Sequence, residues 1–229
     1  MDFGIQIHGS LSITDDITIY ITDTLLVAWI LIGILTIFAI VVRIKSRKWV
    51  VMGKPSGLQN VVELLVQNFE NLFKNSAGEK VKNLAPWFFT LFAFLIFANI
   101  IGVTGLRPPT ADWAMTFPLA VTSLVMIQYA GIRHRPKEYI KGFFQPVFVF
   151  LPVNLLGELS KPIALSFRLF GNILAGTILM SMLYGLAPLV LTIGLPAVLH
   201  AYFDIAAGLL QAYIFTILSI TFVGLASEG

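Results

Sequence analysis

Long apolar runs with very few charges dominate the sequence. A helix needs roughly 20 predominantly apolar residues to cross the hydrocarbon core of a bilayer. Backbone N–H and C=O groups find no partners in lipid, so segments of this length are expected to be helical. The predicted fold class is therefore an all-α polytopic membrane protein. Its five crossings are expected at residues 25–42, 84–106, 113–132, within 143–195 and at about 197–226.

The composition agrees with this class and excludes others. Only 12% of the 229 residues are charged, whereas soluble domains carry about 25%. The chain contains no cysteine, which excludes disulfides, thiolate metal ligands and a cysteine nucleophile. A net charge of +3 fits basic residues gathered on one membrane face, and no nucleic-acid partner is expected. We expect residues 1–229 to form a single membrane domain.

The distribution of charge predicts the orientation. Four acidic residues precede the first span, which we expect to extend back through Ile17, Ile19 and Ile21, and four basic residues follow it at 43–48. Of the 15 Lys and Arg residues, eight lie in 43–83 and four in 133–141. Because cytoplasmic loops are enriched in Lys and Arg, the N-terminus is predicted outside and the C-terminus in the cytoplasm.

Four segments make up the predicted domain. Residues 1–57 hold the first span and a basic loop. Residues 58–83 hold an interfacial helix and a loop. Over 58–74 the apolar side chains lie on one helical face and the polar ones on the other, which is typical of a helix lying in the membrane interface. Residues 84–132 form a transmembrane hairpin, and residues 143–226 hold the last two helices.

Four ionisable residues lie within the last two apolar segments: Glu158, Lys161, Arg168 and Asp204. A charge at bilayer depth costs about 2.5–3.5 kcal/mol on insertion scales, so each requires a partner or a function. Spacings of three or four residues place a continuous polar stripe on one face of a helix. This stripe contains Asn154, Glu158, Lys161, Arg168 and Asn172.

An antiparallel alignment of the last two helices follows from a turn near residue 191, with facing residue numbers that sum to about 383. Asn172 then faces Gln211, and Asp204 faces Leu179 close to Thr177.

Glu158 and Asp204 lie on opposite sides of Arg168 in this register. At about 1.5 Å per residue, Glu158 lies roughly 15 Å from Arg168 toward the cytoplasm, and Asp204 a similar distance toward the outside. Arg168 has no acid three or four residues away. Its counter-charge is therefore expected on another chain.

This arrangement suits the transfer of ions to a moving carrier. A guanidinium stays protonated in proteins, so Arg168 can attract a deprotonated carboxylate and repel cations that would cross directly. Acid-lined clefts on either side would then give ions access from each face separately. Asn154, Lys161 and Thr177 are expected to be secondary polar lining.

Structural interpretations of the same residues stay open. Asp204 can brace the hairpin, and Glu158 can form only a local ion pair with Lys161 at three-residue spacing. Lys161 can extend its ammonium group to the interface. Asn172 and Gln211 can be interhelical hydrogen-bonding partners.

Rival functional classes find less support in the sequence. A self-contained channel or secondary transporter often has repeats or broken helices in both halves, whereas the polar residues here crowd into the C-terminal part. The chain has no HExxH motif, no Ser-centred nucleophile motif and no acid cluster for a metal. No catalytic residue, metal or other cofactor is predicted, and without a P-loop any ATP chemistry would belong to partner subunits.

The polar residues lie in ELSKPIALSFRLFGNILAG, from Glu158 to Gly176, and in LQAYIF, from Leu210 to Phe215. Over about residues 84–228 the chain resembles subunit a of bacterial F-type ATP synthases.

The resemblance implies a non-catalytic, ion-translocating stator subunit in the bacterial cytoplasmic membrane. It also implies a long tilted hairpin of the last two helices against a ring of c subunits. The b subunits of the peripheral stalk and the rest of the complex are the further partners implied. Arg168 would face the ring carboxylates, and Glu158, Asn172 and Gln211 would line access channels.

One departure from the family pattern concerns the coupling ion. Many relatives carry an ionisable pair, often an acid with a histidine, at the positions of Thr177 and Asp204, whereas this chain has one acid and no histidine there. Because histidine titrates near neutral pH, its loss removes a simple proton relay. Proton coupling is expected by base rate, and sodium, which needs oxygen ligands only, is the alternative.

Overall fold

The computed structural model describes residues 7–14, 17–47, 49, 57–186, 198–199 and 201–228. The strands and longer helices are, in chain order, β1 (Ile7–Thr14), β2 (Ile17–Thr22), α1 (Asp23–Ser46), α2 (Gly57–Ala77), α3 (Ala85–Ile100), α4 (Trp113–His134), α5 (Pro136–Phe143), α6 (Leu151–Leu186), a π-helix (Ala201–Ala207) and α7 (Gly208–Glu228). Short 3-10 helices lie at Glu79–Leu84, Ile101–Thr104, Pro109–Ala111 and Phe148–Phe150.

Five helical segments of the described residues are long and apolar enough to cross a membrane. On α1, the side chains of Ile34, Ile37 and Phe38 are each more than half exposed. Continuous apolar surface of this kind is expected where a helix faces lipid. The predicted all-α polytopic fold with five crossings is confirmed. The segments are Asp23–Ser46, Glu79–Thr104, Trp113–His134, Phe148–Leu183 and Ala201–Glu228.

An antiparallel β-hairpin precedes the first span. Strands β1 and β2 pair with Ser10 opposite Tyr20 and Ser12 opposite Thr18. The prediction that the first span extends back through Ile17, Ile19 and Ile21 is therefore wrong, because α1 begins at Asp23. The sequence ITIYIT over β2 alternates isoleucine with polar or aromatic residues. This period of two, built from β-branched and aromatic side chains, favours a strand.

Helix α2 contains the predicted amphipathic helix 58–74 and extends it to Ala77. Its buried side chains include Phe69 and Phe73. The Phe69 ring packs on Phe89 of α3 at 5.2 Å, and Phe73 packs on Phe88 at 5.7 Å. These aromatic contacts attach α2 to the start of the second span.

The segment between α4 and α6 contains helix α5, which the sequence analysis did not assign. Pro136 occupies its first turn, where proline suits a helix because the missing N–H would be unpaired anyway. Helix α6 begins at Leu151, later than the start of the apolar stretch at residue 143. Pro146 lies in that stretch and disfavours helical backbone in the residue before it.

Two compact units divide the chain, and each is described by itself. The first consists of Met1–Leu31, Phe94–Val121 and Pro162–Phe215, and the second of Ile32–Ala93, Thr122–Lys161 and Thr216–Gly229. Leu95 and Leu169 belong to the core of the first unit. Phe88 and Ile220 belong to the core of the second.

Helix α6 lies against the last helical segment within each unit. In the second unit, Lys161 Nζ lies 5.1 Å from the ring centre of Phe222 on α7, which is the facing pair that the predicted register requires. In the first unit, a Cβ added to Gly176 would lie 3.3 Å from Phe203 of the π-helix. These contacts agree with the predicted antiparallel hairpin. Its turn, predicted near residue 191, lies outside the described residues.

Candidate functional site

Polar side chains from three helices meet in the second unit. Glu158 of α6 accepts a hydrogen bond from Lys161 Nζ through Oε1 and one from Gln128 Nε2 of α4, at 3.1 Å, through Oε2. Tyr139 of α5 donates its hydroxyl to Gln128 Oε1 at 2.9 Å. We call Gln128, Tyr139, Asn154, Glu158 and Lys161 the Glu158 cluster.

Asn154 fixes the start of α6 to the preceding chain. Its Nδ2 donates to the backbone carbonyl oxygens of Phe143 and Gln145, both at 2.9 Å. Asn154 belongs to the polar stripe predicted from the sequence. Its amide donors are used within the subunit, so any contact with water or ions would run through its oxygen.

A cavity of about 710 Å³ opens beside the Glu158 cluster. Tyr139, Asn154, Glu158 and Lys161 line it, together with apolar residues of α7 such as Phe222. The ion pair between Glu158 and Lys161 predicted from their spacing is present, and both side chains are about a quarter exposed or less, at 21% and 27%. The pair is therefore both a local ion pair and part of a polar cavity wall.

Tyr139 remains a hydrogen-bond donor in this setting. Burial, with the nearby Glu158 charge as a second cause, raises the pKa of Tyr139 to about 12. Its hydroxyl is thus protonated at any physiological pH.

Arg168 lies on the exposed face of α6 in the first unit. Leu165, Ser166 and Leu169 form the buried face, with Ser166 sharing a hydrogen bond with Thr116 of α4 at 3.2 Å. Arg168 and Phe167, by contrast, are exposed. Among the described residues, no hydrogen bond or ion pair reaches the Arg168 side chain.

Three further predicted residues lie near Arg168 in sequence or in the predicted register. Asn172 is half-buried, and its Nδ2 is buried without a hydrogen-bonding partner in the described part of the chain. Thr177 donates its hydroxyl to the Ile173 carbonyl oxygen at 2.9 Å. Gln211 is half-buried. A hydrogen bond between Asn172 and Gln211, which the sequence left open as one alternative, is not present among the described residues.

Asp204 lies in the π-helix. This conformation is rare in proteins overall, and where it occurs it is often at a functional site. A Cβ added to Gly102 would lie 3.4 Å from the carboxyl carbon of Asp204. The 3-10 helix that contains Gly102 packs against the π-helix. Asp204 thus has Gly102 of the connection between α3 and α4 as a near neighbour, a contact that the alignment of the last two helices does not include. That Asp204 faces Leu179 stays a prediction.

Two residues that the sequence analysis did not single out support this region. Asn99 of α3 donates through Nδ2 to the Gly208 carbonyl oxygen at 2.8 Å and accepts from the Thr110 hydroxyl at 2.7 Å. Both side chains are at most 1% exposed. A single amide within the apolar run of α3 was the available signal.

Comparison with known proteins adds an independent finding. Residues 25–224 match the model of the family described as "ATP synthase A chain". The chain is 34% identical over 171 residues to "ATP synthase subunit a" of Moorella thermoacetica, covering 74% of this chain and 76% of that protein. It is 37% identical over 183 residues to the protein of the same name from Acidothermus cellulolyticus, covering 76% and 67%. It is 32% identical over 237 residues to "ATP synthase subunit a, chloroplastic" of Stigeoclonium helveticum, covering 98% and 87%.

Proposed function

The chain belongs to the ATP synthase A chain family, and we propose that it is the stationary ion-conducting subunit of a rotary F-type ATP synthase. Family membership makes it a non-catalytic, multi-pass subunit of the membrane sector. The proposal adds how ions move: through two offset half-channels that meet the carboxylates of a c-subunit ring and are separated by Arg168.

The exposed position of Arg168 is the observation that carries the proposal. A charged side chain at bilayer depth costs about 2.5–3.5 kcal/mol on insertion scales, unless a partner or water compensates it. Arg168 lies on a face of α6 that also carries exposed Phe167, and no acid of the described residues pairs with it. A carboxylate presented by another subunit would supply the missing counter-charge, and c-ring carboxylates pass in turn as the ring rotates.

Two polar regions would supply the half-channels. The cavity beside Glu158, Asn154 and Lys161 would lead to the cytoplasm, and the surroundings of Asp204 and Thr177 would lead to the outside. Asn172 and Gln211 would line the approach to Arg168.

The remaining assignments follow the charge distribution and the family. We propose an N-terminus outside and a C-terminus inside, in a bacterial cytoplasmic membrane, with the peripheral-stalk b subunits as further partners. Protons are the proposed coupling ion, and sodium is the alternative because Thr177 and Asp204 offer oxygen ligands without a histidine.

The test is Arg168→Ala in the assembled complex. Inverted membrane vesicles should hydrolyse ATP but lose ATP-driven ion uptake and ion-driven ATP synthesis. Arg168→Lys should also be poor, because an ammonium group is compact and strongly hydrated and lacks the planar guanidinium fork.

Arg133→Ala is the matched control, since Arg133 is also an exposed arginine but lies at the end of α4. It should leave coupling unchanged. Near-normal coupled synthesis in Arg168→Ala vesicles would remove the proposal.

A further inference from the structure

We propose that Gln128 and Tyr139 are positioning residues that orient the Glu158 carboxylate in its half-channel. The inference rests on the proposed function, because it assigns Glu158 a role in ion passage. The two residues come from α4 and α5, outside the last two helices, and they join α6 through the chain of hydrogen bonds from Tyr139 to Gln128 to Glu158.

The donor and acceptor roles in this series of hydrogen bonds are determined by the carboxylate at one end and the hydroxyl at the other. An ionised carboxylate only accepts hydrogen bonds, so the amide of Gln128 must present its NH₂ group to Glu158 and its oxygen to Tyr139. The tyrosine hydroxyl must then donate. If that hydroxyl were absent, the amide oxygen would lose its donor, and the carboxylate alone would restrain the Gln128 side chain.

The backbone of α4 is shaped to receive the Tyr139 ring. A Cβ added to Gly131 would lie 2.5 Å from Cε2 of Tyr139, so only glycine allows the ring this close. The ring also packs edge-on against Phe143 at 5.4 Å. Tyr139 is therefore held in place independently of its hydroxyl, which keeps the hydroxyl aimed at Gln128.

Lys161 and Gln128 each bind a different oxygen of the Glu158 carboxylate. Lys161 donates to Oε1 and Gln128 to Oε2. Without Gln128, nothing among the described residues would restrain Oε2, and the carboxylate would be free to turn toward the Lys161 ammonium. The charge that faces the cavity would then be more fully neutralised, and its capture of an incoming cation would weaken.

The experiment measures ATP-driven ion uptake in inverted vesicles, where the cytoplasmic side faces the medium. Sodium is varied at fixed pH, and pH is varied at fixed sodium. For Tyr139→Phe and Gln128→Leu, the half-saturating concentration of the coupling ion should rise about three- to tenfold, the size expected for the loss of one ordinary hydrogen bond. The rate at saturating ion, per assembled complex, should change much less.

A double-mutant cycle distinguishes this relay, in which Tyr139 acts on Glu158 through Gln128, from two separate structural effects. Because Tyr139 acts through Gln128, Tyr139→Phe should add little in a Gln128→Leu background. Gln128→Glu should be worse than Gln128→Leu, because it places an acceptor beside Glu158. Tyr129→Phe is the matched control: Tyr129 is the neighbouring tyrosine on α4, is 53% exposed, and should behave as wild type.

Several outcomes would overturn the inference. One is an unchanged half-saturating concentration in both single variants, and a second is additive effects in the double variant. The third is a loss confined to the rate at saturating ion, which would indicate only a packing role. Arg168→Ala in the same vesicles separates the two proposals. If that variant stops uptake while the Gln128 and Tyr139 variants behave as wild type, the relay fails and the proposed function stands.

Discussion

Gly224 allows the attachment of α2 to α7 to be tested quantitatively. A Cβ on Gly224 would lie 2.8 Å from both the Cα of Ala77 and the carbonyl oxygen of Ser76. Both are backbone atoms, so no side-chain rotation can relieve the contact, and Gly224→Ala must push the end of α2 away. Overpacking costs about 1–3 kcal/mol, whereas alanine in place of a helical glycine contributes about 1 kcal/mol. The overpacking cost should exceed the gain in helix propensity, so the free energy of unfolding should fall by up to about 2 kcal/mol.

Gly33→Ala is the matched control. Gly33 lies inside α1, and nothing lies within 4 Å of an added Cβ, so only the helix-propensity gain of about 1 kcal/mol applies. A change of 1 kcal/mol shifts the melting midpoint by about 2–4 °C in a chain of this size. Thermal release of the subunit from the detergent-purified complex should therefore begin earlier than wild type for Gly224→Ala and later for Gly33→Ala. A Gly224→Ala midpoint at or above that of Gly33→Ala would refute the close contact.

Three further predictions concern single side chains. The pKa of Tyr139 is raised to about 12 in the folded chain, above its unfolded value near 10. The protonated Tyr139 hydroxyl therefore contributes fully to the free energy of unfolding below pH 10, and this contribution is lost as the pH rises through 12. In alkaline melts, the stability difference between wild type and Tyr139→Phe should shrink over that interval, and a constant difference would contradict the shift. Ser219→Ala should be neutral or stabilising, because the Ser219 hydroxyl is buried with no hydrogen-bonding partner in the described part of the chain. Ser166→Ala should cost about 1 kcal/mol of stability, because it breaks the hydrogen bond to Thr116. A lower melting midpoint for Ser219→Ala than for Ser166→Ala would contradict this. Asp204→Asn should slow ion-driven ATP synthesis at limiting external ion, and more external sodium or lower external pH should partly relieve the loss; normal rates under both limits would contradict a channel role.

Spanning helices could be predicted closely because the thickness of the bilayer core sets their length. The start of α4 at Trp113 agrees with the prediction, and α1 and α3 differ from it by a few residues. The β-hairpin was missed for a related reason. Its isoleucines were counted toward an apolar run, although their alternation with Thr18, Tyr20 and Thr22 indicates a strand.

The candidate site was predictable only along single helices. Three-residue spacing brought Glu158 and Lys161 together, as the structure has them. Gln128, Tyr139 and Asn99 approach their partners from other elements, and helical periodicity carries no information on such tertiary contacts. Each of them is nevertheless polar within or beside an apolar span. Buried polar side chains need partners, so a lone amide in a spanning helix can be used to search for sites.

The contact between Asp204 and the connection between α3 and α4 could not be predicted from an alignment of the last two helices alone. The alignment of the last two helices assumed regular α-helical backbone, and a π-helix, with its i→i+5 hydrogen bonds, turns side chains to other directions without changing the apolar pattern. Asp204 lies beside Gly102, and the Asn99 side chain donates to the carbonyl oxygen of Gly208, where the π-helix ends. A carboxylate in this position can brace the connection between α3 and α4 and still attract cations. Loss of transport in Asp204→Asn therefore does not distinguish the two roles, whereas its dependence on ion concentration does, because bracing would lower the rate at every concentration.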